Sequence, residues 1–447
     1  MFGIDLRGEV AVVGLGRSGS AATRLLCQAG ARVYASDGGR GLGLEATAAA
    51  LRVFGAAVDV GSHDLDRIRR ASAAVLSPGV PPDAPPVVVA REAGILVLAE
   101  AELGLRALGP EVRFAAVTGT NGKTTTTSLV AHLLTSAGLS ARAVGNIGTP
   151  VSEIALAAER PAVLAVELSS FQLHDMPTLR PTVGVLTNLA PDHLDRYPTI
   201  DAYYGDKMRL VANATRDSLW ITNEDDPASA AWFGSPKGRR RRFSIRGRSD
   251  GWYDRERDCL KLGDVVIVER SRLPLLGDHN VANALAAALA AHGLGASVAA
   301  IGRGLETAPR LAHRIEPIRE VGGVLWINDS KATNISSTEV AVAAMQRPFV
   351  LLLGGRHKGE PYDRLAPLLD RCRAVVAFGE ARPVIVGDLG GLVRVEQATT
   401  FEEAMGIAGA QAAPGDVVLL SPACSSYDLF ANYEQRGARF RALVEAM

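Results

Sequence analysis

The chain has 447 residues, with 48 Lys and Arg against 48 Asp and Glu and a formal net charge of zero. At about 100–200 residues per domain the length suggests two to four domains, and the balanced charge argues against a protein whose task is to coat nucleic acid or an anionic membrane. With 47% hydrophobic and 21% charged residues the chain is not a disordered one, and four scattered cysteines (Cys27, Cys259, Cys372, Cys424) with no CxxC pair exclude the usual zinc and thioredoxin spacings.

In chain order, Asp5, Arg7 and Glu9 interrupt the N-terminus, so no signal peptide is visible. With the lone cysteines this predicts a cytoplasmic protein. The run 10–13 reads as a strand, and Gly14, Gly16 and Gly19 after it open a helix. Asp37 follows Gly19 by 18 residues, nearly the dinucleotide fingerprint. Taken alone this favours NAD. A pyrophosphate on a helix N-terminus is the shared physics of any such site.

A second strand, 114–118, runs into Gly119-Thr120-Asn121-Gly122-Lys123-Thr124-Thr125 and then a helix over 125–137. The glycines let backbone N–H groups curl around a phosphate chain. Lys123 supplies a cation for the β- and γ-phosphates and Thr124 a hydroxyl for Mg²⁺. The spacing GxxGKT is two residues shorter than the general phosphate loop. The strand at 163–166 ends in Glu167, an oxygen ligand suited to a hard cation beside Thr124. The strand at 183–187 leads into Asn188, Asp192, His193 and Asp195, at the edge of a parallel sheet where ligands sit. The basic run 237–248 (KGRRRRFSIRGR) reads as a solvated loop or strand edge in a neutral chain. Residues 280–302 carry no formal charge, yet they are mostly alanine, and His-Gly-Leu-Gly reads as a helix stop and not a membrane span. Asn280 and Asn283 begin that helix and share a face, with Asp278 or Asn280 as its cap in the purely structural reading. Ala308-Pro309 marks a boundary before further strands at 325–328, 350–353, 374–378 and 417–421. Short apolar runs alternating with helical segments define an α/β chain of parallel sheets.

Several segments together resemble the Mur ligases. These are GTNGKTT at 119–125, ELSSFQL at 167–173, NLAPDHLDRY at 188–197, YYGDK at 203–207, GDHNVANALAA at 277–287 and LAHRIE at 311–316. WINDSKATN at 326–334, LLLGGRHKG at 351–359 and LLSPACSSYDLFANYEQRG at 419–437 resemble the members that add D-glutamate. The resemblance runs in order from about residue 10 to 440. It implies three α/β domains: an N-terminal Rossmann-like domain for the UDP substrate (1–101), a central P-loop-type ATPase domain (102–310), and a C-terminal Rossmann-like domain for the amino acid (311–447).

The implied reaction is ATP-dependent ligation of D-glutamate to UDP-N-acetylmuramoyl-L-alanine through an acyl phosphate, giving ADP and phosphate, in cytoplasmic peptidoglycan precursor synthesis. Implied cofactors are ATP, Mg²⁺ at two sites and a carbamylated lysine. Lys123, His193 and Lys207 take the catalytic roles. Thr124, Glu167, His193 and Lys207 as its carbamate hold metal. ATP falls to 119–125 with Asn280, Asn283, Arg314, Asp329 and Lys331. The UDP substrate falls to Gly14, Gly16, Arg17, Ser18, Ser36, Asp37, Asn146 and His193, and D-glutamate to Thr333, Lys358, Ser426 and Tyr433. A monomer is implied, without nucleic acid and without membrane insertion. Two positions depart from the pattern: Arg17 stands where an aliphatic residue is expected, and Arg356-His357 where an acid usually precedes the lysine. The alternatives are a sibling ligase taking another amino acid, an NAD-dependent oxidoreductase, which leaves 119–124 unexplained, and a non-catalytic nucleotide switch.

Overall fold

The structure is a computed structural model that describes residues 2–194, 196–309 and 311–447. Its first sheet comprises β1 (Glu9–Val13), β2 (Arg32–Asp37), β3 (Ala57–Val60), β4 (Ala73–Leu76) and β5 (Leu96–Ala99). All are parallel, in the order β3-β2-β1-β4-β5. Side chains alternate along a strand, and both faces of this sheet are covered. Val10 and Val12 pack with Leu26, Val33 and Leu51, while Ala11 and Val13 pack with Ile68 and Val87. That double burial is why these strands read as unbroken apolar runs. The strand order reverses between β1 and β4, which opens a crevice at their C-terminal ends.

The second sheet holds β6 (Arg113–Thr118), β7 (Ala141–Gly145), β8 (Val163–Glu167), β9 (Val183–Leu186), β10 (Leu219–Asn223), β11 (Arg239–Ser244), β12 (Gly251–Asp254), β13 (Cys259–Leu262) and β14 (Val265–Glu269). Their order is β14-β13-β12-β11-β10-β9-β6-β8-β7. It is parallel except for the last two pairings, β12 with β13 and β13 with β14. Residues 239–244 of the basic run form a strand. It is β11, paired with β10 from Arg239 to Phe243, with β12 against its C-terminal end. Arginine tolerates this place because its apolar stem covers neighbours while its head stays wet. The Arg240 guanidinium lies 4.8 Å from the Phe233 ring centroid, and its Nε donates to Thr222 Oγ1 at 2.9 Å. The alanine-rich stretch forms the helix Asp278–Gly293, whose Ala284–Ala291 segment is fully buried in protein. Among the described residues no helix is long and apolar enough to cross a membrane.

The third sheet comprises β15 (Glu316–Val321), β16 (Val324–Asn328), β17 (Phe349–Gly354), β18 (Cys372–Phe378), β19 (Val395–Gln397) and β20 (Val417–Leu420). The order is β15-β16-β20-β17-β18-β19, with β15 antiparallel and the rest parallel. The last strand thus enters between β16 and β17, unlike the order of the first sheet. Leu351, Leu353 and Val375 face one core with Ile335 and Ile385; Leu352, Val376 and Leu420 face another with Phe401 and Phe440. The first two sheets share one compact unit (Met1–Leu189, Tyr203–Arg272, Ala282–Thr307). In the second unit, Ala190–Ala202 and Leu273–Val281 join Ala308–Met447.

Candidate active site

The first cleft forms where β1 meets the helix Arg17–Gln28. A Cβ on Gly19 would fall 1.7 Å from the Gly14 carbonyl oxygen, so only glycine lets this turn close. Gly16 is the N-cap and offers no side-chain acceptor, so the first helical N–H groups are left for a ligand. Asp37 is used by the loop itself: its Oδ2 accepts from Leu15 N at 2.8 Å and its Oδ1 from Gly39 N at 2.8 Å. The cleft has a volume of about 640 Å³ and is lined by Gly14, Gly16, Arg17, Ser18, Asp37 and Asn146. Ser36 is fully buried, with Oγ 2.8 Å from His63 Nδ1. His63 and Ser77 also line the cleft, and sequence reasoning missed both. Burial holds the His63 imidazole below its ordinary range, against the pull of Asp37 and Asp59. The unusual Arg17 grips Glu153 with Nε and Nη2, both at 3.0 Å, and donates from Nη1 to Gly148 O at 3.2 Å.

The phosphate loop joins β6 to the helix Lys123–Ser136. Gly122 has φ +80°, and a Cβ there would meet Asn283 Oδ1 at 2.3 Å. The end of β9 clamps the loop. Thr187 Oγ1 donates to Asn121 O at 2.6 Å, Asn188 Nδ2 donates to Asn121 O at 3.0 Å, and Asn121 N donates to Asn188 Oδ1 at 3.0 Å. Lys123 Nζ donates to Gly119 O at 3.0 Å and Thr120 O at 2.7 Å, which holds its charge over the loop. Lys207 is buried beside the same loop. Its Nζ donates to Gly119 O at 2.8 Å and lies 4.5 Å from the Tyr203 ring centroid. Asn283 is buried, and its Oδ1 accepts from Thr126 Oγ1 at 3.3 Å.

Glu167 ends β8, in register with Val117 of β6, and is 1% exposed. Its Oε1 accepts from Asn146 Nδ2 at 2.9 Å, and its main-chain oxygen accepts from Asn146 N at 2.9 Å. Its Oε2 is buried with no hydrogen-bond partner. An unpaired buried carboxylate oxygen is costly, and a hard divalent cation is a partner that satisfies it. The chemistry of Glu167 therefore fits a hard cation such as Mg²⁺.

In the second unit Asp192, which the sequence places among the candidate residues after β9, is a hub whose partners the sequence does not show. It is 6% exposed. Its Oδ1 accepts from His193 N at 2.8 Å and Lys358 Nζ at 3.2 Å, and its Oδ2 from Asn334 Nδ2 at 2.8 Å. Burial would raise this carboxyl; Lys358, then His193 and Asn334, overcome it and hold it well below the usual carboxylate range. His193 sits at φ +56°, with Nε2 3.7 Å from Asp192 Oδ2. Glu360 is buried with Oε1 unpartnered, and burial, then the nearby Asp192, pushes its carboxyl up to about 7.

Asp329 is pushed up to about 7 by burial, although Ser421 Oγ donates to its Oδ2 at 2.9 Å and Ile315 N to its Oδ1 at 3.1 Å. Both oxygens thus already serve the protein, and Arg314 acts on it as a nearby charge. Lys331 Nζ lies 3.7 Å from the Tyr433 ring centroid, so Tyr433 is grouped with Lys331 and His313. Asn280 Nδ2 donates to Leu276 O at 2.8 Å. Thr333 is half-buried in the loop after β16, and Ser426 is buried in the loop after β20. Asp195 lies outside the described residues.

Three family descriptions match in succession: Mur ligase MurD-like, N-terminal domain over residues 8–99; Mur ligase middle domain over 117–291; and Mur ligase, glutamate ligase domain over 313–424. The chain belongs to the Mur ligase family. It is 41% identical to the UDP-N-acetylmuramoylalanine–D-glutamate ligase of Anaeromyxobacter dehalogenans, over 98% of each chain. It is 40% identical to the protein of that name from Acidobacterium capsulatum, over 99% of this chain and 97% of that one. Among solved structures it shares its fold with the UDP-N-acetylmuramate–alanine ligase of Thermotoga maritima (TM-score 0.64, 19% identity, covering 98% and 99% of the two chains). The same holds for the MurF ligase of Thermotoga maritima in complex with ADP (TM-score 0.59, 18% identity, covering 86% and 91%).

Proposed function

We propose that this chain ligates D-glutamate to UDP-N-acetylmuramoyl-L-alanine at the expense of ATP, in cytoplasmic peptidoglycan precursor synthesis. The observation that carries this reading is its 36–41% identity, over 98–99% of its length, to ligases bearing that name. A carboxylate is a poor electrophile, so the L-alanine carboxylate first takes the γ-phosphoryl group of ATP, and ADP leaves. The D-glutamate amine then attacks the acyl phosphate, loses a proton, and the tetrahedral adduct expels phosphate to leave the amide. In the first step one anion strikes another, so concentrated positive charge is what the protein must supply.

Lys123, held over the loop by the carbonyls of Gly119 and Thr120, is the protein's own cation for the transferred phosphoryl group. Thr124 and the unpartnered Oε2 of Glu167 would hold Mg²⁺, which neutralises phosphate charge when bound. Lys207 is the lysine we assign to carbamylation: its ammonium gives up one proton, the free amine adds to CO₂ and gives up a second, and the cation becomes an anion able to support a second Mg²⁺. The cleft at Gly14–Gly19 takes the UDP moiety, and the helix Arg17–Gln28 presents its N-terminus to the diphosphate. Thr333, Lys358 and Ser426, on the loops after β16, β17 and β20, take D-glutamate.

The test is phosphate release with UDP-N-acetylmuramoyl-L-alanine and ATP across a panel of amino acids. D-glutamate should drive turnover and L-alanine or a diamino acid should not. Preference for another amino acid would retire the D-glutamate assignment and leave the family intact. Phosphate release indifferent to every amino acid would retire ligation.

A further inference from the structure

Arg436 lies in the first turns of the helix Tyr433–Glu445 and is 0% exposed. A guanidinium is seldom buried without a carboxylate partner, and here its hydrogen-bond partners are three carbonyls and one hydroxyl. Nε donates to Ser330 Oγ at 2.9 Å, Nη2 to Ser330 O at 2.8 Å and to Cys424 O at 3.1 Å, and Nη1 to Gly354 O at 3.3 Å. Those acceptors stand on three different segments: the loop after β16, the end of β17 and the loop after β20. The chain is shaped for the approach. A Cβ on Gly355 would come within 3.1 Å of Arg436 Nη1 and 2.2 Å of Ser425 O. The same helix makes two further ties, one to that first loop and one to the last residue of β16: Ser330 Oγ donates to Tyr433 O at 2.9 Å, and Asn328 Nδ2 to Gly437 O at 3.1 Å.

We infer that Arg436 is the positioning residue of the amino-acid pocket, tying into one frame the three loops that carry Thr333, Lys358 and Ser426. It cannot touch a substrate, since it has no exposed surface, so it acts only through those loops. Its planar fork is what the task needs. Five N–H donors in a fixed plane reach three backbone segments at once, whereas a lysine ammonium is a compact point charge at the end of a flexible stem. The inference rests on the ligase reading for the place of the amino-acid pocket and for the identity of the amino acid, whereas the tie between the three loops stands on the geometry alone.

The experiment compares wild type with Arg436→Lys and Arg436→Met. First, KM is measured for whichever amino acid the wild type uses, beside KM for the UDP substrate, whose cleft is lined by none of these loops. A displaced frame should raise the amino-acid KM roughly tenfold or more while the other KM stays within about twofold. Arg436→Lys should fall between Arg436→Met and wild type. Second, hydrogen exchange is read over residues 328–334, 354–358 and 423–426, which needs no turnover and so reports even if the ligase reading fails. All three segments should lose protection together. The inference is overturned if Arg436→Lys lowers only kcat with the amino-acid KM unmoved, if both KM values rise in parallel, or if the three segments keep wild-type exchange.

Discussion

Substituting Asp192 by Asn removes a charge while keeping the shape, and the structure sets a large cost. Asp192 receives donors on both oxygens, from His193 N and Lys358 Nζ on one and from Asn334 Nδ2 on the other. An asparagine offers one acceptor oxygen and one NH₂, so either orientation sets a donor against a donor. It also strands the Lys358 ammonium, whose side chain is only 12% exposed. Breaking one side of a buried ion pair costs about 3–5 kcal/mol. The assay is hydrogen exchange over residues 190–202, under conditions where reclosing outruns exchange. A cost of about 3 kcal/mol should speed exchange there roughly a hundredfold, at about 1.4 kcal/mol per factor of ten. Lys358→Met alone should cost less, because Asp192 keeps two donors and can take up a proton. The double variant should cost less than the two singles summed, by about 0.5–3 kcal/mol. Because the folded carboxyl titrates well below its unfolded value, its contribution is complete above about pH 4 and lost only as pH falls through the folded value. Acceleration under fivefold in Asp192→Asn, or strictly additive effects in the double variant, would refute this account of the hub.

Three further predictions follow from the first unit. Lys123→Ala should lower ligase turnover by about 10²–10³-fold, the scale of losing one preorganised charge-stabilising donor, with thermal stability nearly unchanged; phosphate release and a melting curve check both halves. Lys207→Ala should lose activity and regain part of it with added acetate, and full activity without added acid would rule out the carbamate. Asn146→Ala removes the donor that orients Glu167 Oε1 and should weaken Mn²⁺ binding in the presence of a non-hydrolysable ATP analogue by about 10–100-fold, read by electron paramagnetic resonance; a shift in UDP-substrate KM alone would contradict it.

The parts of this fold that were legible in the sequence are those whose chemistry is local. A glycine turn between a strand and a helix is written in neighbouring residues, so the loops at 14–19 and 119–125 announce themselves. Convergence is not local. Asp192 and Lys358 are 166 residues apart, and nothing in either segment says that a carboxylate will settle on that ammonium. Asp37 carries a role its spacing does not announce: it lines the cleft, and its oxygens also hold two backbone N–H groups of the loop. The run KGRRRRFSIRGR is solvated, as its charge density suggests, but its residues 239–244 form a strand, which needs only alternate sides and long stems. The hairpins of β12–β14 and the antiparallel β15 escaped a reading tuned to parallel strands.

The two glycine turns that open helices also bear on how such a protein could be inhibited. A Cβ at Gly19 would sit 1.7 Å from a main-chain oxygen, and one at Gly122 would require φ +80° and displacement of Asn283. A compound that draws its affinity from the peptide groups of these turns would rest on atoms that no codon change can replace. Any side chain introduced to push the drug away would first dismantle the turn itself. Escape by point substitution would have to come instead from rim residues such as Arg17, whose partners are reached by side chain alone.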